Sequence, residues 1–217
     1  MKYVNADKKI LSVHGMYSEQ IEVLHSTSIG NIARKAELKA FDISDKLTTD
    51  SKTVQKNYKE KFNVNFIYLP APLDVQTFKG ISQIEKKKNQ VIYIGRDSYE
   101  KGIDILKNIE LKINGKIIYC TNLSWEKTMT ILKSSTLLIV PSRMESIPQV
   151  IKEAFYLKIP VIATNVGGIS EIIENKKNGI LIPPENPNKM IEAINNLLIN
   201  PLLIDKLTKN AFDFINE

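Results

Sequence analysis

Short apolar runs alternate with amphipathic segments along most of this chain. Runs of about four apolar residues, such as residues 91–94 and 137–140, are too short for helices and are typical of buried parallel strands. Between such runs, apolar residues recur every three or four positions, which predicts helices with one apolar face. The alternation therefore predicts an α/β fold built from strand, loop and helix units around parallel sheets.

The same pattern gives the approximate bounds of the elements. Predicted strands cover residues 9–14, 46–49, 65–69, 91–94, 116–120, 137–140, 160–164 and 179–182. Predicted helices cover residues 18–24, 29–39, 51–61, 125–133, 187–198 and 201–215, and two more begin near Ile103 and just after Glu145. In the helix after Glu145, we expect Pro148 in the first turn and Ser146 or Ile147 at the cap.

Two glutamates, Glu145 and Glu153, stand eight residues apart where the strand at 137–140 gives way to a helix. Ligands in open α/β sheets bind beyond the carboxyl ends of strands, and a helix N-terminus attracts phosphate. Glu153 lies five residues beyond Pro148, roughly 7–8 Å along the helix axis at about 1.5 Å per residue. One carboxylate can then face a sugar and the other a ribose, with a diphosphate between them. Acidic residues are common in the chain, so the spacing alone does not identify a site.

A second strand, loop and helix unit carries two cations. Gly95 and Arg96 end the strand at 91–94, and Lys101 and Gly102 precede the next helical pattern. A guanidinium offers a planar fork of donors and an ammonium offers a mobile charge, and both suit the oxygens of a diphosphate. Alone, the loop could equally be a solvated turn.

The residues from Val140 to Pro184 closely resemble the C-terminal domain of retaining GT-B glycosyltransferases of family 4, the glycosyl transferases group 1. The E-x7-E pair is that family's motif, and the segment GRDSYEKG at 95–102 resembles its diphosphate loop. The resemblance implies that Glu145 lies against the donor sugar, that Glu153 hydrogen-bonds the ribose and that Arg96 and Lys101 hold the diphosphate. Ser146 and Ile147 belong to the same donor-binding loop. The chain departs from the family at Ser146-Ile147-Pro148, where many members have Gly-aromatic-Gly, and this departure concerns the sugar more than the fold.

The resemblance also implies a domain organisation. Residues 1–75 are similar to the second half of an N-terminal acceptor-side domain, residues 76–89 form a linker, and residues 90–217 form a Rossmann-like donor-binding domain. The first half of the acceptor-side domain is absent from this sequence, so we expect a truncated enzyme, a fragment, or half of a two-chain enzyme. His14, before Gly15 at a strand end, resembles a family His-Gly that faces the transferred sugar; a histidine satisfied by backbone groups is the alternative.

The implied reaction is transfer of a hexose from a nucleoside diphosphate sugar, such as UDP- or GDP-hexose, with retention of configuration. The cations and the helix N-terminus would stabilise the departing diphosphate, so we expect neither a metal nor another cofactor. A hydrolase is disfavoured, because its paired carboxylates face each other across one bond. Two alternatives stay open: a truncated, non-catalytic nucleotide-sugar-binding remnant or a subunit that needs a partner chain, and, more weakly, a nucleotide-sugar epimerase.

Composition adds information on partners and location. Most of the net charge of +6 falls in residues 1–88, in lysines that include Lys86, Lys87 and Lys88 and a second group of Lys52, Lys56, Lys59 and Lys61. Such lysines suit either solvent or the anionic surface of a membrane that carries a lipid-linked acceptor. No aromatic and basic pattern indicates nucleic acid. Cys120 is expected at a buried strand end, and neither Cys120 nor the two histidines, His14 and His25, have metal-ligand spacing. We expect a cytoplasmic protein whose acceptor is a sugar, polysaccharide or lipid-linked sugar.

Overall fold

A computed structural model describes residues 6–81 and 84–216 of the chain. Helices and strands alternate in it as the hydrophobic pattern predicts, and each pair of neighbouring strands within a sheet runs parallel. The strands form two separate sheets. The α/β class with parallel sheets is thus confirmed.

The first sheet has the strand order β1 (Ile10–Val13), β2 (Lys46–Thr49) and β3 (Ile67–Tyr68), connected by α1 (Tyr17–Leu24), α2 (Thr27–Asp42) and α3 (Lys52–Phe62). Apolar side chains of α2 and α3 pack against Leu11, Val13 and Leu47 on one face of this sheet. Side chains alternate along a strand, so Ile10 and Ile67 point to the opposite face, where they are 65% and 52% exposed. The described residues therefore leave apolar surface on that face in contact with solvent.

The second sheet has the strand order β5 (Lys116–Cys120), β4 (Gln90–Ile94), β6 (Leu137–Val140), β7 (Val161–Thr164) and β8 (Ile180–Ile182). The chain moves outward from β4 to β5 on one side, and then from β6 to β8 on the other side. The direction of winding changes between β4 and β6. In a sheet of this kind, a ligand crevice lies beyond the carboxyl ends of those two strands.

Helices cover both faces of the second sheet, which explains why most residues of its strands are apolar. They are α4 (Ile103–Ile109), α5 (Trp125–Ser134), α6 (Gln149–Tyr156), α7 (Ile169–Ile172), α8 (Pro187–Leu198) and α9 (Pro201–Asn216). Helices α5 and α6 pack on the face that carries Ile92 and Leu138, and α4 and α8 pack on the face that carries Val91 and Leu137. All four of these strand side chains are fully buried.

Side-chain hydrogen bonds join the two sheets. Glu171 on α7 accepts hydrogen bonds from the N-terminus of α3, namely from the Ser51 hydroxyl at 2.6 Å and from the backbone N–H groups of Lys52 and Thr53, both at 2.8 Å. These hydrogen bonds depress the pKa of Glu171 below its usual range, although burial by itself would raise that pKa. Farther along, the Lys152 ammonium donates to the carbonyl of Ala71 at 2.6 Å.

The predicted elements are found with few exceptions. The strands at 46–49, 116–120 and 137–140 and the helix at 187–198 have the predicted bounds. The start of α6 was predicted too early: Pro148 precedes the helix with an extended ψ of 120°, and Ser146 does not cap it because its hydroxyl donates to Asp50. The pattern also missed α7 and a 3-10 turn at Val75–Gly80, which begins at the last residue of the predicted first domain and runs into the predicted linker. Across the described residues, none of the helices combines the length and apolar composition that crossing a bilayer requires.

Candidate functional site

Two loops meet in the crevice beyond β4 and β6. Residues 95–102 follow β4, and residues 141–148 follow β6. The first loop brings Arg96 and Lys101, and the second brings Glu145, to the edge of the sheet where the winding changes direction. Both loops were selected from the sequence, and the topology places them side by side.

Glu145 and Lys101 form a direct ion pair in this crevice. The Lys101 ammonium donates to Oε1 of Glu145 at 2.6 Å, and the hydroxyl of Ser142 donates to the same oxygen at 2.9 Å. The side chains of Glu145 and Lys101 are 10% and 24% exposed, so both are largely withdrawn from water. The site thus presents a paired carboxylate and ammonium in place of two independent charges.

Two glycines allow the backbones to come this close. Gly102 has a φ of +69°, and a Cβ at this position would lie 2.1 Å from the carbonyl oxygen of Pro141. Gly167 has a φ of +53°, and its Cβ would lie 1.8 Å from the carbonyl oxygen of Glu145. Because any side chain would collide with backbone at either position, the loops around Glu145 depend on glycine there.

Arg96 lies at the mouth of the crevice, with a side chain that is 76% exposed. Its Nη2 donates to Glu100 at 2.8 Å, and its carbonyl accepts a hydrogen bond from the hydroxyl of Tyr93 at 2.6 Å. Burial by itself would raise the pKa of Glu100, but the hydrogen bond from Ser98 and the charges of Arg96 and Lys101 lower it overall. Glu100 therefore stays ionised and holds the guanidinium over the loop.

Glu153 lies on α6 in a half-buried position. Its Oε1 accepts a hydrogen bond from Nε1 of Trp125 at 2.8 Å, and Trp125 packs edge-on against Phe78 with ring centroids 5.2 Å apart. Burial raises the pKa of Glu153, while the hydrogen bond from Trp125 opposes that rise. A carboxylate held by one oxygen, with its charge destabilised by burial, gains from further hydrogen-bond donors such as hydroxyl groups.

His14 follows β1, and its partner is a carboxylate. Nδ1 of His14 lies 3.0 Å from Oδ2 of Asp50, and Oδ1 of Asp50 accepts a hydrogen bond from the hydroxyl of Ser146 at 3.0 Å. The side chain of Asp50 is buried. The alternative of a histidine satisfied by backbone groups does not hold, because side chains contact both ring nitrogens: Asp50 at Nδ1 and the Ser12 hydroxyl at Nε2, 3.2 Å away. Through Asp50, His14 on the first sheet is connected to the loop that carries Glu145.

Three residues named in the sequence analysis remain: Ile147, Cys120 and His25. Ile147 buries its side chain in the core beside α6, so only its backbone remains for ligand contact. Cys120 is buried at the end of β5, as expected, and burial raises the pKa of its thiol. His25 lies at the exposed end of α1.

The sequence interpretation missed several residues of this region: Ser142, Asp50, Trp125 and Arg143. A common signal could have found them, because each follows the carboxyl end of a parallel strand within five residues. Arg143 directs all three of its side-chain nitrogens to groups of the same crevice wall. Ser142 and Arg143 lie in the selected loop after β6 but outside its motif, whereas Asp50 and Trp125 follow β2 and β5, which carry no predicted motif.

These features define a Rossmann-like α/β protein with a charged crevice at its topological switch point. The sequence profile of the family described as glycosyl transferases group 1 matches residues 106–214, about half of the chain. The chain belongs to this family.

Curated relatives agree with this assignment. An uncharacterized glycosyltransferase of Methanocaldococcus jannaschii is 29% identical over 195 residues, which cover 79% of this chain and 54% of that protein. The alpha-D-kanosaminyltransferase of Streptomyces kanamyceticus is 26% identical over 151 residues, which cover 56% of this chain and 39% of that protein. The chain thus spans about half the length of the curated relatives it matches.

Solved structures share the fold. The chain is similar to a mutant of S. aureus TarM in complex with fondaparinux, alpha-GlcNAc-glycerol and UDP, with a TM-score of 0.81, 18% identity, and coverage of 99% of this chain and 49% of that chain. It is also similar to Anabaena HepE in complex with UDP-glucose, with a TM-score of 0.76, 15% identity, and coverage of 96% of this chain and 67% of that chain. These similarities confirm a GT-B type, Rossmann-like fold.

Proposed function

We propose that this chain binds a nucleoside diphosphate hexose and takes part in transferring the hexose to an acceptor with retention of configuration, as a family 4 enzyme would. The observation that carries the proposal is the Lys101 and Glu145 ion pair at the switch point, with Arg96 at the mouth of the same crevice. The TarM and HepE structures contain UDP or UDP-glucose, which supports a nucleotide-sugar donor for this chain as well.

The cations would bind the diphosphate. The Lys101 ammonium has three N–H donors, so it can keep its hydrogen bond to Glu145 while it donates to a phosphate oxygen. The Arg96 guanidinium binds Glu100 through one nitrogen and is otherwise largely exposed, so a phosphate can approach its outer edge. Charge that develops on the leaving diphosphate would be stabilised by groups already in position, and no metal ion is part of the proposal.

The carboxylates would orient the donor. Glu145, fixed by Ser142 and Lys101, would accept hydrogen bonds from hydroxyl groups of the hexose, and Glu153, fixed by Trp125, would accept them from the ribose. Both are positioning roles rather than nucleophilic ones. The backbone at 146–147 would complete the donor loop.

His14 would face the transferred sugar from the side of the first sheet. Its ring orientation is set by Asp50, which also holds the Ser146 hydroxyl beside Glu145. We assign the acceptor, a sugar, polysaccharide or lipid-linked sugar, to the space between the two sheets, because His14 follows a strand of the first sheet, Glu145 follows a strand of the second, and Asp50 and Ser146 link the two.

A further polypeptide is expected to cover the first sheet. Its apolar face, with Ile10 and Ile67 exposed, favours a partner chain or additional sequence that supplies the missing part of an acceptor-side domain. The predicted division into residues 1–75, 76–89 and 90–217 belongs to this proposal.

Location in the cytoplasm, with peripheral contact to a membrane, is also proposed. Lys56 lies on α3 with a side chain that is 73% exposed, and its ammonium is 3.8 Å from Glu60, so it can still face an anionic surface. Lys86 fits this role less well, since its ammonium donates to the carbonyl of Ser135 at 3.2 Å.

The test is calorimetric binding of UDP, GDP and ADP, and of their glucose and mannose conjugates, to the purified chain. We expect one base to bind, and we expect Arg96→Ala and Lys101→Ala to weaken binding. Lys189→Ala is the matched control, because Lys189 pairs with Glu192 on α8, outside the crevice. Equal affinity in all three variants would refute the placement of the donor. Where the donor binds and transfer is seen, the anomeric configuration of the product, measured by NMR, tests retention.

A further inference from the structure

Arg143 is enclosed by the crevice wall rather than exposed to ligand. Its side chain is only 11% exposed, although it stands two residues before Glu145 in the same loop. Nη1 and Nη2 donate to the two carboxylate oxygens of Asp104 at 2.7 and 2.8 Å, and Nε donates to Glu185. Two carboxylates therefore neutralise this guanidinium.

The same side chain holds the turn that carries Lys101. Nη1 of Arg143 also donates to the carbonyl of Tyr99 at 2.7 Å, and the guanidinium lies over the Tyr99 ring, 4.0 Å from its centroid. The backbone N–H of Arg143 donates to the carbonyl of Glu100 at 2.8 Å. Arg143 thus binds the two residues that directly precede Lys101, while Asp104 lies three residues beyond it.

The contacts of Arg143 join three segments of the chain, each of which follows a strand of the second sheet. Tyr99 and Asp104 flank Lys101 after β4, Arg143 itself lies after β6, and Glu185 lies after β8. The hydrogen bonds from Arg143 and its charge hold the pKa of Asp104 below the usual range, so this anchor stays ionised at neutral pH. A flexible lysine side chain gains a fixed position only when its backbone is fixed, and Arg143 supplies that restraint.

We propose that Arg143 is the positioning residue that places the Lys101 ammonium against Glu145, by clamping the turn at 99–101 between Asp104 and the loop after β6. The importance of this pair for donor binding rests on the function proposed above. Asp104 and Glu185 occupy the guanidinium, so Arg143 acts through Lys101 and not on the donor itself.

The first measurement does not need a donor. Trace acetylation with acetic anhydride, followed by mass spectrometry of peptides, gives the relative reaction rate of each lysine. The Lys101 amine is largely withdrawn from water and hydrogen-bonded to Glu145, so the reagent reaches it slowly. In Arg143→Met we expect the rate at Lys101 to rise roughly five-fold, the effect of about 1 kcal/mol of lost restraint, while the rate at Lys189 stays constant.

A second variant keeps the charge of the arginine. Arg143→Lys retains a cation but loses the planar fork that binds Asp104 and the Tyr99 carbonyl together, so we expect an intermediate rate at Lys101. Asp104→Asn removes one anchor from a half-exposed position, which makes it suitable if Arg143→Met does not fold, and it should raise the Lys101 rate in the same direction. An unchanged rate at Lys101 in folded Arg143→Met, or in Asp104→Asn where Arg143→Met does not fold, would overturn the proposal.

The second measurement is calorimetric affinity for UDP, GDP and ADP. If a nucleotide binds the wild-type chain, we expect Arg143→Met to weaken that binding roughly in step with the rise in Lys101 reactivity. Undiminished affinity beside a raised Lys101 rate would remove the link to the donor and so overturn the functional half of the inference. If no nucleotide binds the wild-type chain but the Lys101 rate still rises, the positioning role stands and the proposed function fails.

Discussion

The ion pair between Lys101 and Glu145 should be measurable as a coupling energy, separately from any activity. At 2.6 Å and an effective dielectric constant near 20, two unit charges attract by about 6 kcal/mol before desolvation is counted. Desolvation of two largely buried side chains cancels much of that gain, which leaves a net coupling of about 2 kcal/mol. We expect Lys101→Met and Glu145→Gln each to lower the free energy of unfolding by about 2 kcal/mol, and the double variant to lower it by about 2 rather than about 4 kcal/mol.

Urea denaturation of the four proteins gives this coupling directly. Trp125 is the only tryptophan in the sequence, and it lies on α5, which packs on the second sheet that carries Lys101 and Glu145. Its emission therefore reports the unfolding of this part of the protein. The exposed pair of Lys189 and Glu192 is the matched control, and its cycle should give less than about 0.5 kcal/mol. A Lys101 and Glu145 coupling as small as that of the control would refute the structural argument.

The same variants separate stability from function. The double variant should be more stable than the sum of the two single losses predicts. Its nucleotide affinity should not recover, because the methionine that replaces Lys101 offers no hydrogen-bond donor to a phosphate. Recovered affinity in the double variant would show that Lys101 serves only to neutralise Glu145.

Three further predictions concern the surroundings of the site. Glu171→Ala should lower the free energy of unfolding by about 2 kcal/mol, because the N-terminus of α3 loses its hydrogen-bond acceptor. The exposed control Glu174→Ala should change the free energy of unfolding by less than about 0.5 kcal/mol. Urea denaturation compares the two variants, and equal effects would contradict the role of Glu171. A pH titration of Trp125 emission should show a transition above the ordinary glutamate range, and this transition should be absent in Glu153→Gln. Because the folded pKa of Glu153 is raised, the contribution of this carboxyl to stability is present at low pH and is lost as pH rises through the folded pKa. An unchanged transition in Glu153→Gln would assign the transition to another group. Gly167→Ala should lower the free energy of unfolding by at least about 2 kcal/mol, as read by thermal denaturation, and a fully stable variant would show that the loop can move away from Glu145.

The hydrophobic pattern predicts this fold well where burial decides the structure. Strand β6 is buried along its whole length, and its bounds follow from the apolar run alone. Helix α8 begins at Pro187 with a side-chain cap from Asn186, both of which are local signals. The start of α6 could not be predicted, because Ser146 is a good cap in isolation and its true partner, Asp50, lies 96 residues earlier.

The residues of the candidate site also fall into two groups: those that local motifs identify and those that only the fold brings together. Glu145, Lys101 and Arg96 could be selected because their motifs follow strands, but nothing local shows that Lys101 contacts Glu145 across 44 residues of sequence. Trp125 has no motif, and its role appears only when β5 and β6 place α5 beside α6. Sequence patterns name the loops at the switch point, whereas the pairing between loops depends on strand order.

The departure of this chain from its family at Ser146 has a structural explanation. By the resemblance described above, many family members carry glycine after the first glutamate, and glycine has no hydroxyl. Here the Ser146 hydroxyl donates to the buried Asp50, whose other oxygen binds His14. The residue that departs from the motif is thus the one that connects the loop of Glu145 to the end of β2. A sequence comparison alone would treat this position as a change in sugar specificity, but its contacts show that it also joins the two sheets beside the proposed reaction centre.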